Sequence, residues 1–255
     1  MPNSLCKGEA HIRGHTTGQT FRMAGTRFLL LAAGDETRWG NYMGVHKHLV
    51  EVNGERLLDR TIRLIHERMD AEILTLAKHP EYENDMAMLV CPSDLENGGA
   101  VASMEFWATE NRTTVLFGDI YFTEDAMDKI CAIDEPSRCQ FIGRSKASKH
   151  HGCPYEEQFG FSLLPEHQEE VSAAIEHVKQ ALQSGVIKGC TGWATYRHLH
   201  GLPLRKHKIR GDFVEIDDFT DDFDFPIDYE RWKTHFYGGP PVEAKQGFFK
   251  RLFEG

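Results

Sequence analysis

The sequence has no long apolar run, and this absence argues against a transmembrane helix. A helix needs about 20 consecutive apolar residues to cross a bilayer, whereas the longest apolar candidate, residues 28–33, contains six. Residues 1–25 also lack the apolar core of a secretory signal. We therefore expect no membrane partner, and we expect residues 1–25 to form a disordered extension.

Positive charge is scarce as well. The 255 residues include 29 Lys and Arg against 39 Asp and Glu, which gives a formal net charge of −10. A general nucleic-acid binder needs a basic surface that neutralises phosphates, so we expect no nucleic-acid partner. A nucleotide substrate is still compatible with this charge, because a few local cations and a metal ion can hold a triphosphate.

The sequence also lacks paired cysteines and the residue spacings that are typical of zinc sites. The six cysteines are scattered and include no CxxC pair, which is typical of reduced thiols in a cytoplasmic protein. The 14 histidines form short clusters such as residues 46–48 and 198–200, but none has a zinc spacing with a partner pair. We interpret them as surface histidines.

What the sequence does contain is an alternation of apolar strands and amphipathic helices. This order predicts βαβ units and an α/β fold with a mixed, mainly parallel sheet flanked by helices. In such sheets, ligands bind outside the carboxyl ends of the strands. The predicted strands are residues 28–33, 72–77, 86–90, 113–117, 159–164 and 213–216, and the predicted helices are residues 56–69, 100–109, 124–133, 166–183, 192–200 and 229–236.

The first candidate site follows the first predicted strand. Its segment LAAG (residues 31–34) has small residues that allow close approach of a ligand, and successive N–H groups in such a turn can bind an anion. Arg38 and Lys47 could add two cations, as a phosphoryl-transfer site requires. The alternative is an ordinary strand and turn with two solvated basic residues.

Two further candidates contain aspartate. Asp119 follows Gly118 at the end of an apolar strand, where a carboxylate is well placed to bind Mg²⁺, although Gly-Asp at this position is also common in turns. Asp224 lies in an acidic stretch before Pro226. The alternative for that stretch is an acidic loop with capping aspartates and a proline in the first helical turn.

A weaker signal is the segment NGGAVASM (residues 97–104), with Gly99 and Ser103 as candidate ligand contacts. A plain helix start capped by Asn97 is the alternative. The segment 144–155, rich in Lys, His and Gly, could bind an anionic acceptor or be a solvated loop.

Taken together, these segments resemble the nucleotidyltransferase superfamily that includes sugar-1-phosphate nucleotidyltransferases, molybdenum-cofactor guanylyltransferases and phosphocholine cytidylyltransferases. The resemblance is carried by LAAG (31–34), Thr37-Arg38, Lys47, VNGERLL (52–58), Gly118-Asp119 and DFDFPIDYER (222–231). It implies a GT-A-like, Rossmann-type three-layer sandwich. It also implies that Leu31, Ala33, Gly34, Gly99 and Ser103 bind the nucleotide, that Arg38 and Lys47 stabilise the phosphates, and that Asp119 and Asp224 bind Mg²⁺.

Two residues depart from the superfamily pattern. Glu36 replaces its second glycine, and His46 replaces the proline before the lysine. A carboxylate beside a triphosphate is repulsive unless it points away or helps to hold the metal. The position of Glu36 is therefore a question for the structure.

The function implied is a Mg²⁺-dependent transferase that joins NMP from an NTP to a small phosphorylated acceptor, a sugar 1-phosphate or phosphocholine, with release of pyrophosphate. The alternatives are a GT-A glycosyltransferase and an inactive nucleotide-binding protein. We assign residues 26–237 to the nucleotidyltransferase domain and residues 238–255 to an apolar tail or arm. Phe248, Phe249, Leu252 and Phe253 in that tail suggest a possible homodimer.

Overall fold

A computed structural model describes residues 25–34, 36–94, 99–134, 139–151 and 153–238. The central feature is a seven-stranded sheet with the strand order β10-β8-β9-β6-β1-β4-β5. Two short two-stranded sheets, β2-β3 and β7-β11, accompany it. The strands are β1 (Thr26–Leu31), β2 (Glu51–Val52), β3 (Glu55–Arg56), β4 (Glu72–Leu76), β5 (Met88–Val90), β6 (Arg112–Phe117), β7 (Ile120–Tyr121), β8 (Gln140–Arg144), β9 (Glu157–Leu163), β10 (Phe213–Glu215) and β11 (Asp221–Asp222).

The sheet is mixed and mainly parallel, which confirms the predicted fold class. Strand β1 is parallel to both β4 and β6, and β5 continues the parallel part beyond β4. Strand β9 is antiparallel to its neighbours β6 and β8. The carboxyl ends of β1, β4 and β6 therefore lie along one edge of the sheet.

Helices cover both faces of the sheet. They are α1 (Leu57–His66), α2 (Gly99–Ser103), α3 (Glu124–Cys131), α4 (Gln168–Gln183), α5 (Thr191–Leu199) and α6 (Pro226–Tyr237). Successive side chains of a strand point to opposite faces. Accordingly, Phe28 and Leu30 of β1 pack in a core cluster with α1 and α3, whereas Leu29 packs in a second cluster with α4 and α5. This arrangement makes the domain a three-layer sandwich.

The main differences from the predicted elements lie in short or late strands. Strand β8 was not predicted, although all five of its residues are buried between β9 and β10. The predicted helix 100–109 is shorter than expected, because α2 ends at Ser103 and a 3-10 turn (Met104–Phe106) follows. No helix in the described ranges combines the length and the apolar character needed to cross a bilayer.

Several sequence predictions concern residues outside the described ranges. The expected extension (residues 1–25, except Gly25) and the tail with its four apolar residues belong to this group, and so does the homodimer that the tail suggested. Among the cysteines, Cys131, Cys139, Cys153 and Cys190 are free, as the prediction of reduced thiols requires. Cys91 is disulfide-bonded and does not fit that prediction.

Candidate functional site

A cleft with a cavity volume of about 340 Å³ opens at the carboxyl ends of β1 and β6. This volume lies within the range of small-molecule sites. One wall comes from the segment that follows β1, with Leu31, Gly34 and Arg38, and the opposite wall comes from β9, α4 and α5.

Gly118 closes the end of β6 against the end of β1. Its N–H donates to the carbonyl of Leu31 over 2.9 Å. A Cβ at Gly118 would lie 2.8 Å from that carbonyl oxygen, which real Cβ atoms do not approach so closely. The glycine therefore allows the two strand ends to meet, and it places the next residue, Asp119, on the cleft wall.

The three sequence motifs converge on the ammonium group of Lys47. This group contacts a carboxylate oxygen of Asp119, and it lies 3.0 Å from Oδ1 of Asp224. The guanidinium of Arg38 forms a further ion pair with Asp224. Three segments that are far apart in sequence thus form one charge cluster that lines the cleft. Its members are Arg38, Lys47, Asp119 and Asp224.

Burial and charge together determine the protonation states in this cluster. Burial tends to lower the pKa of Lys47, but the carboxylates of Asp119 and Asp224 outweigh it, and the pKa is raised above its usual range. Burial tends to raise the pKa of Asp119, but Lys47 and His48 reverse this effect and lower it. The Lys47–Asp119 pair is therefore fully charged at neutral pH.

Local structure holds both aspartates in position. Asp222 of β11 pairs with Ile120 of β7, directly after Asp119, and the N–H of Phe223 donates to the carbonyl of Asp119 over 2.9 Å. Asp224 follows immediately. Phe223 is 1% exposed and packs in an aromatic cluster with Tyr229 and Trp232 of α6. This short sheet brings the two acidic motifs to the same point.

The residues predicted to bind the nucleotide fall into two groups. Leu31, Gly34 and Gly99 line the cleft, and Ala33 lies in the same loop as Gly34. Ser103 does not line it. Its hydroxyl is buried, donates to the carbonyl of Ala100 over 2.7 Å and accepts from the indole of Trp107. In this arrangement Ser103 stabilises the end of α2.

The carboxylate of Glu36 faces His46 and His48, the two neighbours of Lys47, and accepts a hydrogen bond from the backbone N–H of Lys47 over 3.4 Å. Its two carboxylate oxygens lie 3.1 Å from Nδ1 of His46 and 3.1 Å from Nδ1 of His48. Tyr82 lies beside them, with its hydroxyl 3.0 Å from Nδ1 of His48. Burial would raise the pKa of Glu36, but the two histidines outweigh it and lower the pKa.

This cluster connects the two departures from the superfamily pattern. Glu36 contacts His46 and also His48, so it holds the chain on both sides of Lys47. The carboxylate of Glu36 is therefore held by the residues on either side of Lys47, and it anchors the turn from which Lys47 reaches Asp119.

We expect the stabilities of Glu36→Ala and His46→Ala to be coupled. Each single substitution should destabilise the protein, and the double variant should lose less than the sum, with a coupling free energy on the order of 1 kcal/mol. Urea unfolding of the four proteins measures this cycle. Strict additivity would contradict a direct interaction between these side chains.

The polar residues of the cleft that sequence reasoning missed include Glu157 and Gln158 of β9 and Asp222 of β11. Glu157 and Gln158 precede the apolar part of a strand, and Asp222 lies in an acidic stretch where only Asp224 had a motif to single it out. The sequence carried no signal that these residues share a wall.

The segment 144–155 does not form a row of free cations on the cleft. The guanidinium of Arg144 is buried and pairs with Asp221 at 3.2 Å, and the exposed Lys149 pairs with Asp217 at 2.8 Å. Within the described part of the chain, no group of three or more His, Cys, Asp or Glu side chains is arranged to hold a metal ion. The prediction that the histidines lie on the surface is wrong for His48, which is 2% exposed.

Comparison with known proteins identifies the fold. No family model and no curated protein matches the sequence. Among solved structures, the chain is similar to the CTP:phosphocholine cytidylyltransferase of Streptococcus pneumoniae (TM-score 0.52, 16% identity, covering 82% of this chain and 98% of that one). It is also similar to the UTP-bound UGPase of Acinetobacter baumannii (TM-score 0.56, 12% identity, 89% and 98%) and to a nucleotidyl transferase of Methanothermobacter (TM-score 0.53, 13% identity, 83% and 97%). The chain therefore has a nucleotidyltransferase-like fold.

Proposed function

We propose that this protein is a Mg²⁺-dependent nucleotidyltransferase that transfers NMP from an NTP to a small phosphorylated acceptor. An oxygen of the acceptor phosphate attacks the α-phosphorus and forms a new P–O bond. The bond from the α-phosphorus to the oxygen that bridges to the β-phosphate breaks, and pyrophosphate leaves with that electron pair. No covalent intermediate with the protein is required.

The observation that carries this proposal is the convergence of Lys47, Asp119 and Asp224. They come from three separate motifs, and one ammonium group contacts both carboxylates at the wall of the cleft. The folds of the similar structures, whose names describe nucleotidyl transfer, support the same reaction class.

The two aspartates fit a magnesium ion. Mg²⁺ is usually held by one or two carboxylates together with waters and substrate phosphates, and Asp119 and Asp224 already share a single cation, the Lys47 ammonium. When bound there, Mg²⁺ would neutralise charge on the phosphate oxygens. The remaining chemistry falls to the basic side chains of the protein.

Lys47 and Arg38 have complementary roles in this proposal. Lys47 is 8% exposed, so its charge acts in a poorly hydrated environment where electrostatic stabilisation is strong. The side chain of Arg38 is 54% exposed and can turn towards an incoming triphosphate. Both cations balance negative charge on the transferring group, while the cleft positions the two substrates.

The proposal is tested by measuring pyrophosphate release. The protein is incubated with Mg²⁺, each of the four common NTPs, and acceptors that include glucose 1-phosphate, phosphocholine and phosphoethanolamine. Acceptor-dependent release of pyrophosphate is the expected result. Release of a nucleoside diphosphate from a nucleotide sugar, without pyrophosphate from any NTP, would indicate a glycosyltransferase instead.

Asp224→Asn should weaken the response to Mg²⁺ more than Asp221→Asn or Asp228→Asn. Asp224 shares the Lys47 cation with Asp119, whereas Asp221 pairs with Arg144 and Asp228 accepts from the N–H of Phe225 at the start of α6. The measurement is the Mg²⁺ concentration that gives half-maximal turnover, for which we expect an increase of roughly tenfold or more for Asp224→Asn. Equal shifts in all three variants would show that the whole acidic stretch acts as a diffuse charge.

A further inference from the structure

Two carboxylates of the cleft have no cationic partner within the described ranges. Glu157 and Asp222 both line the cleft, and the side chain of neither forms an ion pair or hydrogen bond with a described residue, although their backbones belong to β-ladders. Strands β9 and β11, which carry them, are in contact. Two carboxyl groups without a side-chain partner among the described residues thus lie close together on the cleft wall.

The neighbouring acidic residues differ from these two. Asp221 has Arg144 and His151 as partners, Asp224 has Lys47 and Arg38, and Asp228 has Arg231 and a backbone N–H. Glu157, Asp222 and Asp224 line the cleft, whereas Asp221 and Asp228 do not. The two carboxylates that lack a cationic partner, those of Glu157 and Asp222, are therefore ones that a ligand in the cleft can reach.

Gln158 is an independent indication of a ligand at the same wall. Its side chain lines the cleft, the residue is 5% exposed, and its Oε1 is buried without a hydrogen-bond partner. Its Nε2 donates to the carbonyl of Gly160, so the unpartnered atom is the carbonyl oxygen. Gly192 leaves room for this oxygen, since a Cβ there would lie only 1.9 Å from it. A buried polar atom without a partner is uncommon and calls for an explanation.

We propose that the acceptor substrate is a phosphate monoester that carries a protonated primary or secondary amine, and that Glu157, Asp222 and Gln158 hold this ammonium group. The inference rests on the proposed function, since it assigns the acceptor of that reaction. All three protein groups are hydrogen-bond acceptors, so the ligand that satisfies them must donate. The ammonium supplies both the N–H donors and the positive charge.

Other cations fit this wall less well. A quaternary ammonium has no N–H and is best held over aromatic faces, so it would leave the Gln158 oxygen without a partner. A neutral sugar would leave both carboxylates without a counter-ion.

The position of the wall also suits an acceptor. Asp222 lies two residues before Asp224 and pairs with Ile120, next to Asp119. A bound ammonium at Asp222 and Glu157 would therefore place the phosphate of the same small molecule beside the charge cluster of Lys47. This is where the attack on the α-phosphorus would take place.

The first experiment compares three acceptors of similar length: phosphoethanolamine, phosphocholine and 2-hydroxyethyl phosphate. We expect kcat/KM for pyrophosphate release to be highest for phosphoethanolamine, by roughly ten- to hundredfold over the neutral alcohol, because a hydrogen bond to a charged group contributes on that scale. Equal or higher kcat/KM for 2-hydroxyethyl phosphate or phosphocholine would overturn the inference.

The second experiment uses Glu157→Gln, with Glu156→Gln as a matched control. Glu156 is the adjacent residue, does not line the cleft and lies 3.3 Å from His207. Glu157→Gln should raise KM for phosphoethanolamine about tenfold or more and should narrow the preference over 2-hydroxyethyl phosphate, with little change in kcat. The control should keep the wild-type preference. An unchanged preference in Glu157→Gln would contradict the assignment.

A binding measurement separates this inference from the proposed function. Calorimetry with Mg²⁺ and an α,β-methylene NTP analogue compares phosphoethanolamine with 2-hydroxyethyl phosphate and needs no turnover. Tighter binding of the amine without any pyrophosphate release would support the ammonium site and contradict the proposed reaction. Turnover with a neutral acceptor and no preference for the amine would do the reverse.

Discussion

Asp119→Asn is expected to reduce turnover by about 10³-fold or more, which makes it one of the two largest effects that we predict. The substitution removes the carboxylate charge that would bind Mg²⁺, at the point where Asp119 and Asp224 share one cation. Loss of a group that stabilises transition-state charge typically costs about 10²–10³ in rate, and loss of metal binding adds to this. The measurement is acceptor-dependent pyrophosphate release at saturating Mg²⁺.

The fold of Asp119→Asn should persist. Lys47 keeps Asp224 as a partner at 3.0 Å, so the substitution does not leave a buried cation alone. Circular dichroism and urea unfolding check this, and Asp125→Asn, on an exposed turn of α3, is a suitable control. Near-normal turnover of a folded Asp119→Asn protein would refute the site assignment.

Lys47→Met should produce the second large effect, with two results that move in opposite directions. Turnover should fall by roughly 10²-fold or more, because the substitution removes a poorly hydrated cation that, in the proposed reaction, would stabilise charge on the transferring phosphate. Mg²⁺ binding without nucleotide should become tighter, because the ammonium group no longer competes for Asp119 and Asp224. Calorimetric titration with MgCl₂ measures the second result.

A matched control for this variant is Lys129→Met. Lys129 is exposed on α3 and contacts only the carbonyl of Glu215 among the hydrogen bonds of the described structure. The Lys129→Met substitution should leave both turnover and Mg²⁺ binding unchanged. Weaker Mg²⁺ binding in Lys47→Met would mean that the lysine organises the two carboxylates rather than competing for them.

The sequence was sufficient to predict most of the parallel sheet and to select the four residues of the charge cluster. Strands β1, β4 and β6 consist mostly of apolar or β-branched residues because helices cover both faces of the sheet, so the sequence alone marks them as buried strands. The residues Arg38, Lys47, Asp119 and Asp224 could be selected because each follows or precedes such an element within a recognisable motif. In the structure, Lys47 contacts both Asp119 and Asp224, and Arg38 pairs with Asp224.

Strand β8 illustrates what a local pattern cannot reveal. Its residues QFIGR include both polar and apolar side chains, and they are all buried because β9 and β10 lie on either side. Neither an apolar run nor an alternation marks this segment. Its burial depends on contacts with residues that are distant in sequence.

The sequence by itself determined the α/β class, the order of the main elements and the four charged residues of the cluster, because apolar periodicity and strand-end motifs are local properties. Only the tertiary structure decided the direction of Glu36, the burial of Ser103, and the pairing of Asp221 with Arg144 while Asp222 and Glu157 face the cleft. These features depend on which side chains meet across the fold. A carboxylate that is repulsive beside a phosphate becomes an anchor when two histidines lie next to it, and no property of the residue alone distinguishes the two cases.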